Sequence, residues 1–526
     1  MTIKRINVAS SLDPHEFSGG VVTKGPNAVN VLWSKYADGR HYASQRPAVE
    51  IIGLASDRGL PAKGRGIVYW DKVAGEASNG IYFVNDNVVY AGSYDNPLPD
   101  EITTGRDPVY FVEVSNFLVI LDPENNQGWY IRAAAPEQLF RIDNINFPGV
   151  TSNAQLAGGG AELDGFLFVM DTDGNIYNSN LDDVTSWSSL GILEAQRETD
   201  GGVYLTKHHD NIVAIGSNSI EFFYNSANPI ASPLQRRPDI SYRTGGLDRR
   251  NVFTSGERVY FLGSEKIGTP GVWELSGFQL QKVSPDSIDR FIAHTRVEEG
   301  YQFNMTGGYI GEHYMTFFNT LRPNNTNDTY EPQFTFFYDA TYNIWGSFET
   351  EISTVDAFAM AGISERSAIL RGESVILFTT GDLAVFNMTG SVLDTSGEDQ
   401  YVVDDYIVDQ DAYVTGGIAD NEVNIQATIT FNEEDFDVQT NKFMYRLALV
   451  GDVVGSNNDE GAPLLISYTD DNYKNFSTPR YYEVGKRRSL TSWGKFKRRA
   501  FRLSYRGEER LRLEQLEFDI DASEFP

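Results

Sequence analysis

Along most of the chain, short runs of β-branched and aromatic residues alternate with polar ones and end in Gly, Asn or Asp. NGIYFVNDNVVYAG (79–92) shows the form, two apolar runs about an Asn-Asp-Asn turn. The form recurs at 107–131, 163–180, 208–226 and 255–275, in 307–320 with 334–348, and at 373–388. Alternation at period two reads as a half-buried strand, and turn residues in mid-unit read as a hairpin. Unit starts fall roughly 30 to 60 residues apart, near the spacing of four-stranded propeller blades. One hairpin cannot cover its own apolar face, whereas blades stacked about an axis bury those faces and leave only short edges. The expected fold is all-β, with a β-propeller-like domain of about six or seven blades. Stacked β-sandwiches are the alternative that the same pattern allows.

Helical signal is confined to SPDSIDRFIAH (284–294), where Ser284 or Asp286 could cap and Ile288, Phe291 and Ile292 share a face. The blade register predicts that Phe222, Tyr224, Trp273 and Trp345 are substantially buried. After residue 392 the pattern changes to an acidic stretch, with seven carboxylates and no cation from Asp394 to Asp411, followed by longer strands. These predict a C-terminal β-sandwich-like domain. The expected organisation is an N-terminal extended segment over 1–50, the propeller over 51–392 and the sandwich over 393–526.

Composition agrees with strands and narrows the function. Tyr (28) and Phe (32) far outnumber Met (7), and Gly is frequent at 48. With no Cys, neither a disulfide framework nor a thiolate metal site is available. The N-terminus lacks an apolar core of signal-peptide length, and no apolar run is long enough to span a bilayer; the expectation is no membrane insertion and folding in a cytoplasm. The formal charge of −30 disfavours sequence-specific DNA binding. Against that background lies one basic stretch: twelve Lys or Arg and three Glu between Arg480 and Arg512. Either its charges solvate an exposed strand, or they form an electrostatic docking face for an acidic neighbour, another copy of the chain included. Lys495, Lys497, Arg498 and Arg499 are the candidate contact residues.

Chemistry-bearing motifs are missing. There is no G-x-S-x-G elbow, and Gly485-Lys486 is followed by Arg487 where a phosphate loop needs Ser or Thr. Asp171-Thr172-Asp173-Gly174-Asn175 places its Gly too early for a calcium loop and reads as a hairpin turn. None of the six His sits at helical metal-ligand spacing, and His208 and His209, being adjacent, point to opposite sides of a strand. No catalytic, cofactor-binding or metal residues are assigned, and the chain is read as a non-enzyme. The rival reading is a sialidase- or lyase-like propeller acting on acidic glycans, which would need clustered Arg; Arg236-Arg237 and Arg249-Arg250 are the pairs at hand. A cellular propeller scaffold is the third.

Several stretches resemble a known family in their order. Ile176-Tyr177-Asn178-Ser179 with Asp182-Asp183 and Ser186-Trp187 is followed by Asp210 to Gly216 and Ser219 to Tyr224. Tyr242 to Gly246, Val259 to Gly263, Gly271 to Leu275 and Ser284 to Ile292 come next, then Phe337-Tyr338-Asp339 with Trp345. Leu465 to Asp471 and Trp493 to Leu503 resemble the family's C-terminal signature. The family is the packaged-DNA stabilisation, or tail accessory hub (nozzle), proteins of short-tailed bacteriophages. The likeness runs from about 150 to 515, with a weaker echo over Val29 to Pro47. Asn472 and Tyr473 depart from it, standing where a glycine turn is usual, and 394–411 and Arg322 to Glu331 read as insertions. The resemblance implies a homo-oligomeric ring, generally a hexamer, below the portal and its adaptor or head-completion protein. Such a ring closes or extends the DNA exit channel, retains packaged DNA, and carries spikes or fibres and the tail tip or needle. Double-stranded DNA would transit the lumen without specific binding, and the site of action would be the virion tail, with the host cytoplasm as the place of assembly.

Overall fold

The computed structural model describes residues 2–7, 27–55, 58–60, 63–71, 80–151, 155–195, 200–228, 231–255, 257–266, 268–298, 302–324, 329–349, 360–364, 375–387, 393–395, 422–436, 440–454, 462–484, 489–507 and 510–522. Among them, antiparallel strands form seven blades. Blade one runs from Gly64–Tyr69 to Pro97–Glu101, blade two from Tyr110–Val114 to Ala135–Arg141, and blade three from Ala161–Leu163 to Asp183–Glu194. Blade four runs from Gly202–His208 to Leu234–Tyr242. In blade five, Thr244–Gly246 and Val252–Ser255 share the inner position beside Arg258–Glu265, and the blade ends at Gln279–Lys282. Blade six runs from Gln302–Ile310 to Ile344–Phe348. Blade seven comprises Met360–Ser364, Val375–Phe378 and Leu383–Asn387, with Ala48–Gly53 as its fourth strand. Each hairpin unit read from the sequence falls within one blade.

The cores lie between blades. Leu118 and Ile120 of blade two meet Tyr82 and Val84 of blade one, and on its other side Val119 and Leu121 meet Leu167 and Val169 of blade three. Period-two alternation thus supplies one blade to two cores, which is why the central strands are apolar on both faces. Full burial of one such side chain is worth about 1.5–3 kcal/mol. The ring closes without a covalent bond. Ala48–Gly53 pairs with Leu383–Asn387, Val49 facing Phe386, and Ile67 and Phe83 of blade one pack on Leu377 and Val385 of blade seven.

Two further sheets face each other around a core that includes Trp33, Phe431, Leu464, Ile466, Phe501 and Phe518. One sheet contains Val31–Lys35, His41–Gln45, Arg510–Ala522, Lys442–Val454 and Leu490–Phe496; the other contains Asn27–Val29, Ala427–Thr430, Ala500–Tyr505, Ala462–Thr469 and Arg480–Val484. The second sheet is continuous with blade six, because Val29 pairs with Ser347. The described strands within residues 1–50 are therefore not a separate extended segment. Val31–Lys35 pairs locally with His41–Gln45, but Asn27–Val29 and His41–Gln45 join the sandwich and 48–53 joins the propeller through partners hundreds of residues away that local pattern does not reveal.

The predicted helix forms as Asp286–Glu298, with Ile288, Phe291 and Ile292 buried, and Ser284 Oγ donates to Asp289 Oδ1 at 2.5 Å. Phe222 is fully buried, whereas Tyr224, Trp273 and Trp345 are half-buried. The two indoles bury their rings yet keep Nε1 near carbonyls, bonding Gly263 O and Val283 O. At 171–175 the Asp171 carboxylate accepts the N–H groups of Asp173 and Asn175, and Gly174 takes φ +86°, a hairpin turn. His208 is buried and His209 exposed, the latter in the left-handed region at φ 51°. Asn472 and Tyr473 adopt φ 61° and 60°, so the turn expected of glycine is kept by residues that are strained in it. Tyr473 offsets this by burying its ring and donating to Phe431 O. The segment 396–411 lies outside the described residues, as does the tip at 325–328.

Among the described residues, no helix is long and apolar enough to cross a membrane.

Candidate functional site

The basic stretch turns the corner between the two sandwich sheets. Leu490–Phe496 ends in one sheet and Ala500–Tyr505 begins in the other. Trp493 and Phe496 point into the core, and the residues between the strands divide by exposure. Lys495, Lys497 and Arg498 are exposed. Lys495 sits opposite Phe443, and both Phe443 and Tyr445 are exposed beside it. Burial pushes the nearby Glu433 carboxyl up, against a backbone hydrogen bond from Asn472 and the charge of Arg498.

Arg499 does not belong with these three. Its side chain is 1% exposed, and it forms a two-point ion pair with Asp470, Nε to Oδ1 and Nη2 to Oδ2, each at 2.7 Å. Nη1 donates to Trp493 O at 2.7 Å, and the guanidinium carbon lies 3.9 Å from the Tyr468 ring centroid and 4.4 Å from that of Phe496. The expectation that Arg499 offers charge to a neighbour is corrected. A backbone bridge to Glu434 turns its side chain inwards, where the charge is neutralised within the chain.

A second charged cluster crosses the propeller axis. Asp107 precedes the inner strand of blade two, and Arg249 and Arg250 precede that of blade five. Arg249 Nη2 lies 2.6 Å from Asp107 Oδ2, and Arg250 Nη1 lies 3.6 Å from Oδ1. Arg250 also pairs with Asp248 at 2.8 Å and bonds Gln302 at the start of blade six. Burial pushes the Asp248 carboxyl up, but its bonds to Arg250 outweigh that and hold it below the usual range. Tyr110 donates to Arg249 O at 2.8 Å. Next to this bridge, the inner strands of the ring line an open cavity of about 330 Å³. Arg236 pairs with Glu221 at 2.7 Å, and Arg237 lies over the rings of Tyr224 and Phe278. The arginines that a glycan-acid site would need are thus engaged within the chain.

The third cluster joins propeller to sandwich, and nothing in the sequence marks it. His313 Nδ1 lies 2.8 Å from Asp339 Oδ2, both in blade six, and Nε2 lies 3.4 Å from Ser34 Oγ in the sandwich. The order is that of a nucleophile relay, but all three residues are buried and the Ser–His distance exceeds ordinary hydrogen-bond reach. A substrate could meet Ser34 only if the two units parted. Close by, Asn30 at φ 57° accepts from Arg46 Nε and from Glu349 N and donates to Gln426 O, tying four segments together.

Residues 104–312, from the end of blade one into blade six, match the family model described as phage stabilisation, bacteriophage P22 Gp10, β-propeller. Over these blades the chain is similar to the phage stabilisation family. That family is one of phage structural proteins. No curated protein matches the sequence. Among solved structures, the chain is similar to BamB from Moraxella catarrhalis at 8% identity, covering 74% of this chain and 98% of that one, with a TM-score of 0.34. A computationally designed protein, Ika8, gives 10% identity, 69% and 97% coverage and a TM-score of 0.32. A chain in an S. cerevisiae assembly of dbp5 with nup159 and gle1 gives 9%, 69%, 99% and 0.35.

Proposed function

We propose that this chain is a member of the phage stabilisation family and serves as a tail hub, or nozzle, subunit. Copies form a closed ring, expected to be a hexamer, below the portal and its adaptor. The ring extends or closes the DNA exit channel, retains packaged DNA, and anchors spikes or fibres and the tail tip. The family match over blades two to five is the observation that carries this reading.

Physical features of the chain support it. Blade six and one sandwich sheet are a single hydrogen-bonded sheet, so propeller and sandwich can act as one stiff subunit. A ring needs two different faces on each copy, and opposite charge on them orients neighbours and disfavours wrong pairings. Lys495, Lys497 and Arg498 provide one exposed cationic face on a chain of net charge −30. The acidic excess weakens adhesion of passing phosphate. With Asp107 and Arg249 joined across the axis and only about 330 Å³ beside them, the propeller itself is no conduit for a duplex whose major groove alone is about 12 Å wide. DNA would pass between copies.

Cryo-electron microscopy of the purified protein, alone and on tail-less DNA-filled particles, tests the proposal. A closed ring seated on the particle's exit vertex is expected. A monomer that fails to bind such particles would overturn it.

A further inference from the structure

The exposed corner of the sandwich combines charge with bare rings. Lys495, Lys497 and Arg498 are exposed, and none of the three forms an ion pair among the described residues. Phe443, 43% exposed, lies directly across from Lys495, and Tyr445, 45% exposed, follows it in the same strand. Nearby carboxylates are engaged elsewhere: Asp470 with Arg499, Asp471 with four donors of its own turn, and Glu433 with Asn472 N. Asp435 feels the buried Lys442, and Asp521 lies on the far side of Phe443, two strands from Lys495. Among the described residues, Leu490–Phe496 is the last strand of its sheet, so the corner is open on that side. Bare rings grouped with cations mark an interaction site.

The chain itself carries a segment of complementary character. Residues 396–421 hold seven carboxylates and no Lys or Arg, and the acids are interleaved with Tyr401-Val402-Val403 and Tyr406-Ile407-Val408. Both ends of this segment leave from one place, because Leu393–Thr395 and Glu422–Asn424 pair antiparallel beside blade seven, Thr395 facing Glu422. Half of its twenty-six residues, extended at about 3.3–3.6 Å each, can take it at most about 45 Å from that anchor. The anchor and the corner lie at opposite ends of one strand. Ala427, just after the anchor, faces Tyr505, whereas Ala500, at the other end of Ala500–Tyr505, directly follows the cations. An acidic segment leaving one end of a subunit and a cationic corner at the other give two different, matching faces. That is what a head-to-tail contact between copies requires.

We propose that the acidic segment 396–421 of one copy docks on the corner of Phe443, Tyr445, Lys495, Lys497 and Arg498 of the next copy. Its carboxylates meet the cations, and its Tyr and Val side chains cover the two rings. The proposal deepens the tail-hub reading and rests on it for the choice of a neighbouring copy as host. The chain has no Cys, so introduced thiols report the contact without background. A chain with Asp405→Cys is mixed with an affinity-tagged chain carrying Tyr445→Cys, both in solution and on tail-less particles, and bis-maleimidohexane links thiols that come together. A mixed dimer on denaturing gels is expected. Its yield should fall on the order of tenfold or more when the tagged chain also carries Lys495→Glu, Lys497→Glu and Arg498→Glu, because like charges then face each other. It should return when the other chain carries Glu398→Lys, Asp404→Lys and Asp409→Lys, a rescue that misfolding of the tagged chain would not allow. No mixed dimer, a yield indifferent to both sets of changes, or linkage only within single chains bearing both cysteines would overturn the proposal. The same samples are imaged for rings. Rings on particles without the mixed dimer remove this contact and leave the tail-hub reading, whereas a charge-dependent mixed dimer in solution without rings on particles does the opposite.

Discussion

Arg499 and Asp470 are joined at two points beneath an aromatic lid, with the arginine 1% and the aspartate 37% exposed at the side chain. Removing the cation leaves Asp470 without its partner and opens a gap between Tyr468 and Phe496. Removing one partner of a buried pair costs about 3–5 kcal/mol, and the partial exposure of Asp470 places this case at or below the lower figure. Arg499→Ala is therefore expected to unfold the sandwich at markedly lower urea concentration, followed through Trp493 fluorescence. Arg499→Lys should recover only part of the loss, because an ammonium cannot match both carboxylate oxygens and stack on two rings. An unchanged midpoint for Arg499→Ala would place the residue back on the surface.

The three exposed cations should behave in the opposite way. Charge reversal of Lys495, Lys497 and Arg498 to Glu is expected to leave the unfolding midpoint within about 0.5 kcal/mol of the original, as for ordinary surface changes. The same variant should fail to assemble on tail-less particles, most clearly at low salt where exposed charges are least screened. Normal assembly at low and high salt alike would reduce the patch to a solvated corner.

How much of the molecule is legible in its sequence depends on distance along the chain. The hairpins of all seven blades can be read because both strands and the turn lie within a few residues of each other. The turn at 171–175 and the helix at 286–298 are legible for the same reason. Ring closure by 48–53 and the docking of Asn27–Val29 and His41–Gln45 into the sandwich are not, since these strands pair with segments more than 300 residues on and their own patterns are ordinary. Arg499 is misplaced by the sequence because a run of four cations near 495–499 looks uniform. The clue is its aromatic setting between Phe496 and Phe501, with Asp470 one strand away. The joint of Ser34, His313 and Asp339 brings together three polar residues of which only Asp339 falls in a stretch that the resemblance picks out, and that stretch points to neither of the others.

That joint makes a prediction of its own. If it is structural, Ser34→Ala should cost no more than about 1.5 kcal/mol, the worth of one weak hydrogen bond. His313→Ala should cost clearly more, because it strands the buried Asp339 carboxylate and leaves a cavity. Thermal melting compares the two. Covalent labelling of Ser34 by a fluorophosphonate in the folded protein would instead reveal a working nucleophile.

Acid sensitivity should include a contribution from Asp471. Its carboxylate accepts from Asn475 N, from the Thr469 hydroxyl, from Asn475 Nδ2 and from Lys474 N, which together bring its pKa down to about 2. A carboxyl depressed on folding adds stability above its unfolded pKa of about 4 and loses it as pH falls through the folded value. The difference in Tm between the protein and Asp471→Asn should thus be constant from neutral pH to about 5 and shrink between about pH 4 and 2. A difference that instead changes only near neutrality would assign the effect to another group.

The central claim is that this chain completes a DNA-filled phage particle. The direct measurement is DNA retention: tail-less packaged particles are incubated with the purified chain and then challenged with nuclease at raised temperature. The account predicts that bound chain protects the packaged DNA, and that the Lys495, Lys497 and Arg498 reversal variant, though folded, does not. Equal DNA loss with and without the chain would contradict the account.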